Sequence, residues 1–400
     1  MDRRAEIHSP RRCRSLWRVT ELSPTRTGAR GVLSRSDIRF IAAAAILTGA
    51  SAATKGVGAI LPFVISALAL ALLAALVGRC VDQLAERLGP GGTGVLQSAL
   101  GNLPELFVCV FALRQGLTDV VTSALIGSIL GNLLLVLGLA FVVGGQRHGA
   151  LRFSELRARM VMSLMILSVA AMFVPSLAHY IGAAADSHEI ALSRVTAVVL
   201  LLIFALSVPA SVRRNAGDGE SGEAATPEPA EAAAPAETRD PAEPEAPRWP
   251  LALAVGLLAA TGVLAAYVSD LFVDALQPAM TSLHINQVFA GLVIVAIAGN
   301  AVENVVGIQL AWQQKADHAL SVILNSPLQI ALVLAPVLVL LSPAIGGPSF
   351  TLVFSPMLMA SVGISVGAVA FLTFDGLSDW LEGATMIGLY ILIAAAFWWG

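Results

Sequence analysis

Two glutamates are isolated inside long apolar segments, each four residues past a glycine: GNLPE at 101–105 and GNAVE at 299–303. Glu105 is the only charged residue between Leu88 and Leu113, and Glu303 lies in an apolar stretch bounded by His284 and Lys315. A carboxylate at the centre of a membrane helix costs about 2.5–3.5 kcal/mol on insertion scales, so a chain that keeps one has a use for it. Here there are two, in the same local frame.

The surroundings of the two acids also match. A turn with an aspartate follows each (Asp119, Asp317), then a segment carrying a serine (Ser128, Ser326) and an amide (Asn132, Gln329). Gly101 and Gly299 weaken their helices, and Pro104 lacks an N–H and so frees a carbonyl one turn earlier. Irregular backbone at membrane depth survives only where it is buried in protein or lines a polar cavity. Carboxylates, the amides of Asn102 and Asn300, serine hydroxyls and freed carbonyls form an all-oxygen donor set. Hard cations take such sets, and calcium accepts about six to eight oxygens in a tolerant geometry. No histidine or cysteine converges on these residues, which argues against zinc or copper.

Carboxylates out of water also take up protons readily, because desolvation disfavours their charged form. One divalent cation or two protons cancel the charge of the pair, whereas the empty, doubly charged site is costly. Competition for one site in two alternating orientations yields exchange of cation for protons. A single intramembrane glutamate can simply bridge helices. Asp119 and Asp317, at helix starts, read better as N-caps than as ion ligands. Ser128 and Ser326 fit either a ligand role or a hydrogen bond to helix backbone. His148, His179, His188 and His284 fall near loops or membrane edges, His318 is ambiguous, and Trp380, Trp398 and Trp399 read as interfacial anchors.

The elements that must position these residues are membrane helices. The 400-residue chain is 56% hydrophobic and 13% charged, against about 25% charged in a soluble domain. Cys13, Cys80 and Cys109 form no disulfide or metal-finger spacing. At about 20 apolar residues per span, helices fall near 38–54, 57–79, 94–115, 119–144, 158–180, 189–210, 249–270, 286–312, 317–341, 350–373 and 380–399. The fold class is thus an all-α polytopic membrane protein of about eleven helices.

Residues 1–37 carry nine arginines and four acids and read as a basic disordered tail, or as residues upstream of the true start. The Arg11-Arg12 pair stands too far from an apolar segment for a twin-arginine signal. Basic residues in loop 145–159 and at Arg213, Arg214 and Lys315, against none in 181–188 and 342–349, put the N-terminus in the cytoplasm. Residues 38–56 form an extra first helix. The acidic, proline-rich stretch 211–248 is a cytoplasmic linker, separating five helices in 57–210 from five in 249–400. An odd number per half inserts the halves in opposite orientation, the inverted-repeat plan of secondary transporters. A constant offset of 198 carries Gly101, Asn102, Glu105, Asp119, Ser123, Ser128, Leu130 and Leu134 onto identical residues at 299, 300, 303, 317, 321, 326, 328 and 332.

With these motifs the chain resembles the calcium/proton antiporters of the cation/proton exchanger family: GNLPEL at 101–106, GSILGNLLLVLG at 127–138, GNAVEN at 299–304, SPLQIALVLAP at 326–336 and DGLSDWLEG at 375–383. The resemblance covers most of 57–399. It implies calcium exported from the cytoplasm against protons, with Glu105 and Glu303 carrying both. It further implies that Asn102, Asn300, Ser128, Ser326 and Gln329 line the site along with the backbone at Gly101 and Gly299, that Asp82 and Asp270 stand at the cavity entrances, and that the acidic linker samples calcium. The chain departs from the family pattern at Pro327, at Asn304, where a histidine is common, and at Asp82 and Asp270, where glutamate is. Its partners are then calcium, protons and the bilayer, with no nucleic acid and no cofactor; the alternative is a sodium/calcium or monovalent cation/proton exchanger on the same fold. An intramembrane protease lacks a mid-membrane histidine beside its serines. Alanine- and arginine-rich usage suggests a bacterial plasma membrane.

Overall fold

The structure, a computed structural model, describes residues 33–218 and 249–399; the side chains of 35–36, 85–86, 88–99, 208–218 and 302–303 lie outside the described residues. The described residues are helical almost throughout. α1 (Arg35–Ala53) starts on a capping box in which Ser34 and Asp37 satisfy each other's backbone N–H groups. α2 (Ile60–Leu100) ends at a turn, and α3 (Leu103–Arg114) follows. α4 (Thr118–Leu130) passes through a π-helical segment at Gly131–Val136 into α5 (Leu137–His148). α6 (Glu155–Tyr180) and α7 (Glu189–Asp218) complete the first half.

The second half opens with α8 (Leu251–Leu283). α9 (Gln287–Phe289), a π segment at Ala290–Val295 and α10 (Ala296–Gly299) then lead to α11 (Ala301–Trp312). α12 (Ala316–Gln329) passes through a π segment at Ile330–Leu334 into α13 (Ala335–Ile345), and α14 (Pro356–Leu372) and α15 (Trp380–Trp398) close the chain. Two short strands, β1 (Leu151–Arg152) and β2 (Leu377–Ser378), pair antiparallel and join the α5–α6 loop to the α14–α15 loop.

Seven helices among the described residues are long and apolar enough to cross a membrane, and an eighth span arises if the bent pair Gln287–Gly299 and Asn304–Trp312 counts as one. The chain is therefore a polytopic helical membrane protein; eleven spans remains an expectation from sequence. Several boundaries differ from the sequence reading, each for a local reason. Residues 80–93, expected between two helices, are helical, because Cys80, Val81 and Leu84 continue the buried face of α2, with Cys80 and Leu84 packed against Trp249 and Ala254. α8 runs 13 residues past its expected end at 270, since Phe272, Val273, Leu276 and Met280 keep one face buried. α7 extends through Arg213 and Arg214 into the first residues assigned to the linker, the rest of which (219–248) lies outside the described residues, as does the tail at 1–32.

α14 begins at Pro356 rather than 350. Ser355 caps it and Pro356 fits its first turn, where no N–H is needed. The extended residues before it are buried at Phe350, Leu352 and Phe354, and serine hydroxyls satisfy their backbone. Ser176 donates to the Leu352 carbonyl and accepts from the Phe354 N–H, both at 2.9 Å, and Ser193 accepts from the Leu352 N–H at 3.1 Å.

The π segments at 131–136 and 330–334 occupy matching places under the offset of 198. Single π turns inside α-helices, where the helix is locally widened and underwound, are frequent at functional sites. Each one follows its serine, Ser128 or Ser326, within a turn. α4 crosses the π segment at 290–295 with backbone touching backbone. A Cβ on Gly127 would lie 2.1 Å from the Leu292 carbonyl oxygen, and one on Gly291 would lie 2.4 Å from the Val120 carbonyl oxygen. Small residues permit such approach where lipid gives helices no hydrophobic reason to associate.

Candidate cation site

Glu105 sits in the first turn of α3, immediately after the break at Gly101–Asn102, and is only 2% exposed. The break leaves N–H groups at the start of α3 without helical partners, and a carboxylate is favoured there. The equivalent break at Gly299–Asn300 separates α10 from α11 and bends the span by 61°. Ser128 lies in the last turn of α4, Ser326 near the end of α12, and each is almost fully buried.

These elements converge, and the hydrogen bonds cross between the two halves of the chain. Ser128 donates its hydroxyl to Oε1 of Glu105. Asn300, from the second half, donates Nδ2 to Ser128 Oγ at 2.8 Å and to the Ala296 carbonyl at 3.0 Å. Ser326 donates to Asn300 Oδ1 at 3.4 Å. Asn132 returns the network to the first half, donating Nδ2 to Ser326 Oγ at 3.3 Å and to the Ser128 carbonyl at 3.0 Å. Asn102 donates to Gln329 Oε1 at 3.4 Å, again across the halves. Glu105 lies on the bare face of Gly299, where an added Cβ would sit 3.6–3.8 Å from its side-chain carbons.

Glu105, Asn102, Asn300, Ser128, Ser326, Gln329 and Gly299 thus come together, and Gly101 forms the break beside Asn102. Glu303 lies in the first turn of α11, and its side chain is outside the described residues. Asp82 is exposed on α2, one turn from Arg79, which pairs with Asp37 at the start of α1. Asp270 is half-buried on α8 near the other end of the bundle, where neighbouring Asp274 pairs with Lys55 beyond the C-terminal end of α1. The two acids assigned to entrances therefore stand towards opposite ends.

Two sequence readings change. Neither Asp119 nor Asp317 is an N-cap: the cap positions are Leu117 and Lys315. Asp317 instead accepts from the backbone N–H of Ser154 at 2.7 Å, tying α12 to the start of α6. Asn132, an amide on the segment after Ser128, is also more central than the sequence indicates. It is 1% exposed, and its Oδ1 has no hydrogen-bond partner among the described residues. The repeat could not flag it, because its counterpart at the offset of 198 is Ile330, while Gln329 falls opposite Gly131. Its spacing of four residues from Ser128 was the available signal.

A buried acid among amide and hydroxyl groups, hydrogen-bonded across the two halves of a membrane bundle, is an arrangement suited to a cation. The chain belongs to the sodium/calcium exchanger protein family, which it matches over residues 58–212 and 253–399. It is 36% identical over 336 residues to a Ca(2+)/H(+) antiporter of Synechocystis sp., covering 84% of this chain and 90% of that protein. It is 32% identical to the Ca(2+)/H(+) antiporter ChaA of Bacillus subtilis, covering 84% and 91%. Among solved structures, native YfkE superposes with a TM-score of 0.72 at 28% identity over 91% of this chain and 99% of that one. The H+/Ca2+ exchanger CAX shares the fold, with a TM-score of 0.67 at 14% identity over 90% of this chain and 91% of that one. The resemblance carried by the five motifs is borne out.

Proposed function

We propose that this protein is a secondary antiporter that exports calcium from the cytoplasm in exchange for protons, by alternating access at a site shared by Glu105 and Glu303. The observation that carries the reading is the contact of Glu105 with the second half: it lies on Gly299 and is linked through Ser128 to Asn300. A site built from both halves is remodelled whenever the halves rearrange, which is what alternating access requires. Calcium is the substrate the donor set suits, because carboxylate, amide, hydroxyl and backbone oxygens can supply the about six to eight ligands it prefers. The names of the relatives support the same pair of ions.

The two ion loads exclude each other at one carboxylate pair. Either load removes the charge that makes the empty site costly at membrane depth. The acid at each end, Asp82 or Asp270, draws cations towards the site from its side. The arginine asymmetry of the loops supports a cytoplasmic N-terminus, and the bacterial relatives support a bacterial plasma membrane. We further assign 57–210 and 249–400 as the inverted repeats, supported by the matching π segments.

The test is calcium uptake into proteoliposomes with an acidic lumen. Uptake should collapse with an uncoupler and be absent in Glu105→Gln and Glu303→Gln, with both variants still folded by size-exclusion chromatography. Wild-type rates in either variant would dismiss the shared-carrier role. Sodium or potassium moving in place of calcium would favour the alternative exchanger.

A further inference from the structure

At the end of the bundle where α3 stops, Asp270, Arg114, Gln115 and Phe111 line a solvent-open cavity of about 320 Å³. The charges around it are unevenly committed. Asp274, one turn beyond Asp270, is held by Lys55 at 3.3 Å and by Gln115 Nε2 at 2.8 Å. Among the described residues, Asp270 makes no hydrogen bond or ion pair and Arg114 meets only the ring of Phe111, at 5.9 Å. Two opposite charges thus face one opening without closing on each other, although an ion pair would be the ordinary outcome for neighbours of opposite sign.

We infer that Arg114 is a specificity-determining residue that biases this mouth against divalent cations while leaving Asp270 open to protons. The inference rests on the reading of Asp270 as a cavity-mouth residue. A fixed positive charge at the mouth raises the energy of a divalent cation there twice as much as that of a monovalent one, so it lowers the divalent concentration by the square of the monovalent factor. An exported divalent ion is thereby discouraged from rebinding at this face, while proton entry is hindered less. The competing role is structural: a basic residue in the last turn of α3 complements the helix dipole. That role would move stability, and would move both faces of the membrane equally.

The charge is read without any need for transport. In a C13S background, where Cys80 and Cys109 are buried, D270C is modified with cationic and anionic methanethiosulfonates. Adding R114Q should raise the cationic-to-anionic rate ratio about fivefold, and R114K should leave it unchanged. A ratio that stays within about twofold of its starting value in R114Q overturns the inference. In proteoliposomes assayed from each side, R114Q should lower the half-saturating calcium concentration several-fold at this face only; an equal shift at both faces, or none, also overturns it. Absence of calcium exchange in the wild type would sink the proposed function, and the reagent ratio would still decide the role of Arg114.

Discussion

Ser128→Ala tests the centre of the site. The hydroxyl donates to the Glu105 carboxylate and accepts from Asn300 Nδ2 at 2.8 Å, so it joins the acid to the second half. A hydrogen bond to a charged group contributes about 1.5–3 kcal/mol and a neutral one about 0.5–1.5 kcal/mol. Together they amount to roughly 2–4.5 kcal/mol, part of which is recovered as Glu105 and Asn300 find other partners. At about 1.4 kcal/mol per decade, the apparent cation affinity should weaken about 10- to 100-fold. Ser326→Ala is the matched control. Its bonds, to Asn300 Oδ1 at 3.4 Å and from Asn132 at 3.3 Å, are long and neutral, and no carboxylate accepts from it among the described residues. Its loss should stay below about fivefold, equivalent to roughly 1 kcal/mol. Half-saturating calcium in proton-driven uptake, read at the face of the membrane to which this arrangement opens, measures both. Equal losses, or a larger loss at Ser326, would refute the assignment of Ser128 as the link.

Three further outcomes follow from the packing. Ser176→Ala orphans the Phe354 N–H and the Leu352 carbonyl in a buried setting. It should cost about 2–4 kcal/mol and lower the Tm in detergent, whereas an unchanged Tm would mean the extended segment does not depend on that hydroxyl. Gly127→Ala places a methyl 2.1 Å from the Leu292 carbonyl oxygen, so backbone must move. The expected result is a destabilisation of about 1–3 kcal/mol or more together with lost exchange, because Ser128 is the next residue; normal exchange would show that the crossing can widen harmlessly. Lys55→Met removes an ion pair whose side chains are 64% and 41% exposed. Its effect on unfolding should stay below about 1 kcal/mol, and a larger loss would point to an unexpectedly rigid link between α1 and α8.

Much of the fold was legible because desolvation acts locally: an apolar run of sufficient length crosses a membrane wherever it sits. The break at Gly299–Asn300 was legible for a similar reason, since glycine and a polar amide together weaken one turn. The end of α8 was not. Asp270 and Asp274 interrupt the uncharged run, yet Phe272, Leu276 and Met280 keep the opposite face buried, and burial extends the helix. The duplication disclosed which residues are equivalent, but equivalence within a chain does not say which residue of one half touches the other. That is settled by the crossings at Gly127 and Gly291, whose missing side chains admit backbone to backbone.

The same distinction bears on mechanism. The two serines are identical in sequence register and different in their bonds: among the described residues, Ser128 holds a carboxylate, while Ser326 bonds the amides of Asn300 and Asn132. An exchanger made of mirrored halves cannot be symmetric in either of its end states, because a symmetric arrangement would open to both sides or to neither. On the proposed reading, this unequal bonding belongs to one end state, and the other would engage Ser326 with Glu303 and release Ser128. A Ser326→Ala variant would then lose calcium affinity chiefly at one face of the membrane and Ser128→Ala at the other. If each variant weakened both faces alike, the serines would be passive ligands and the asymmetry incidental.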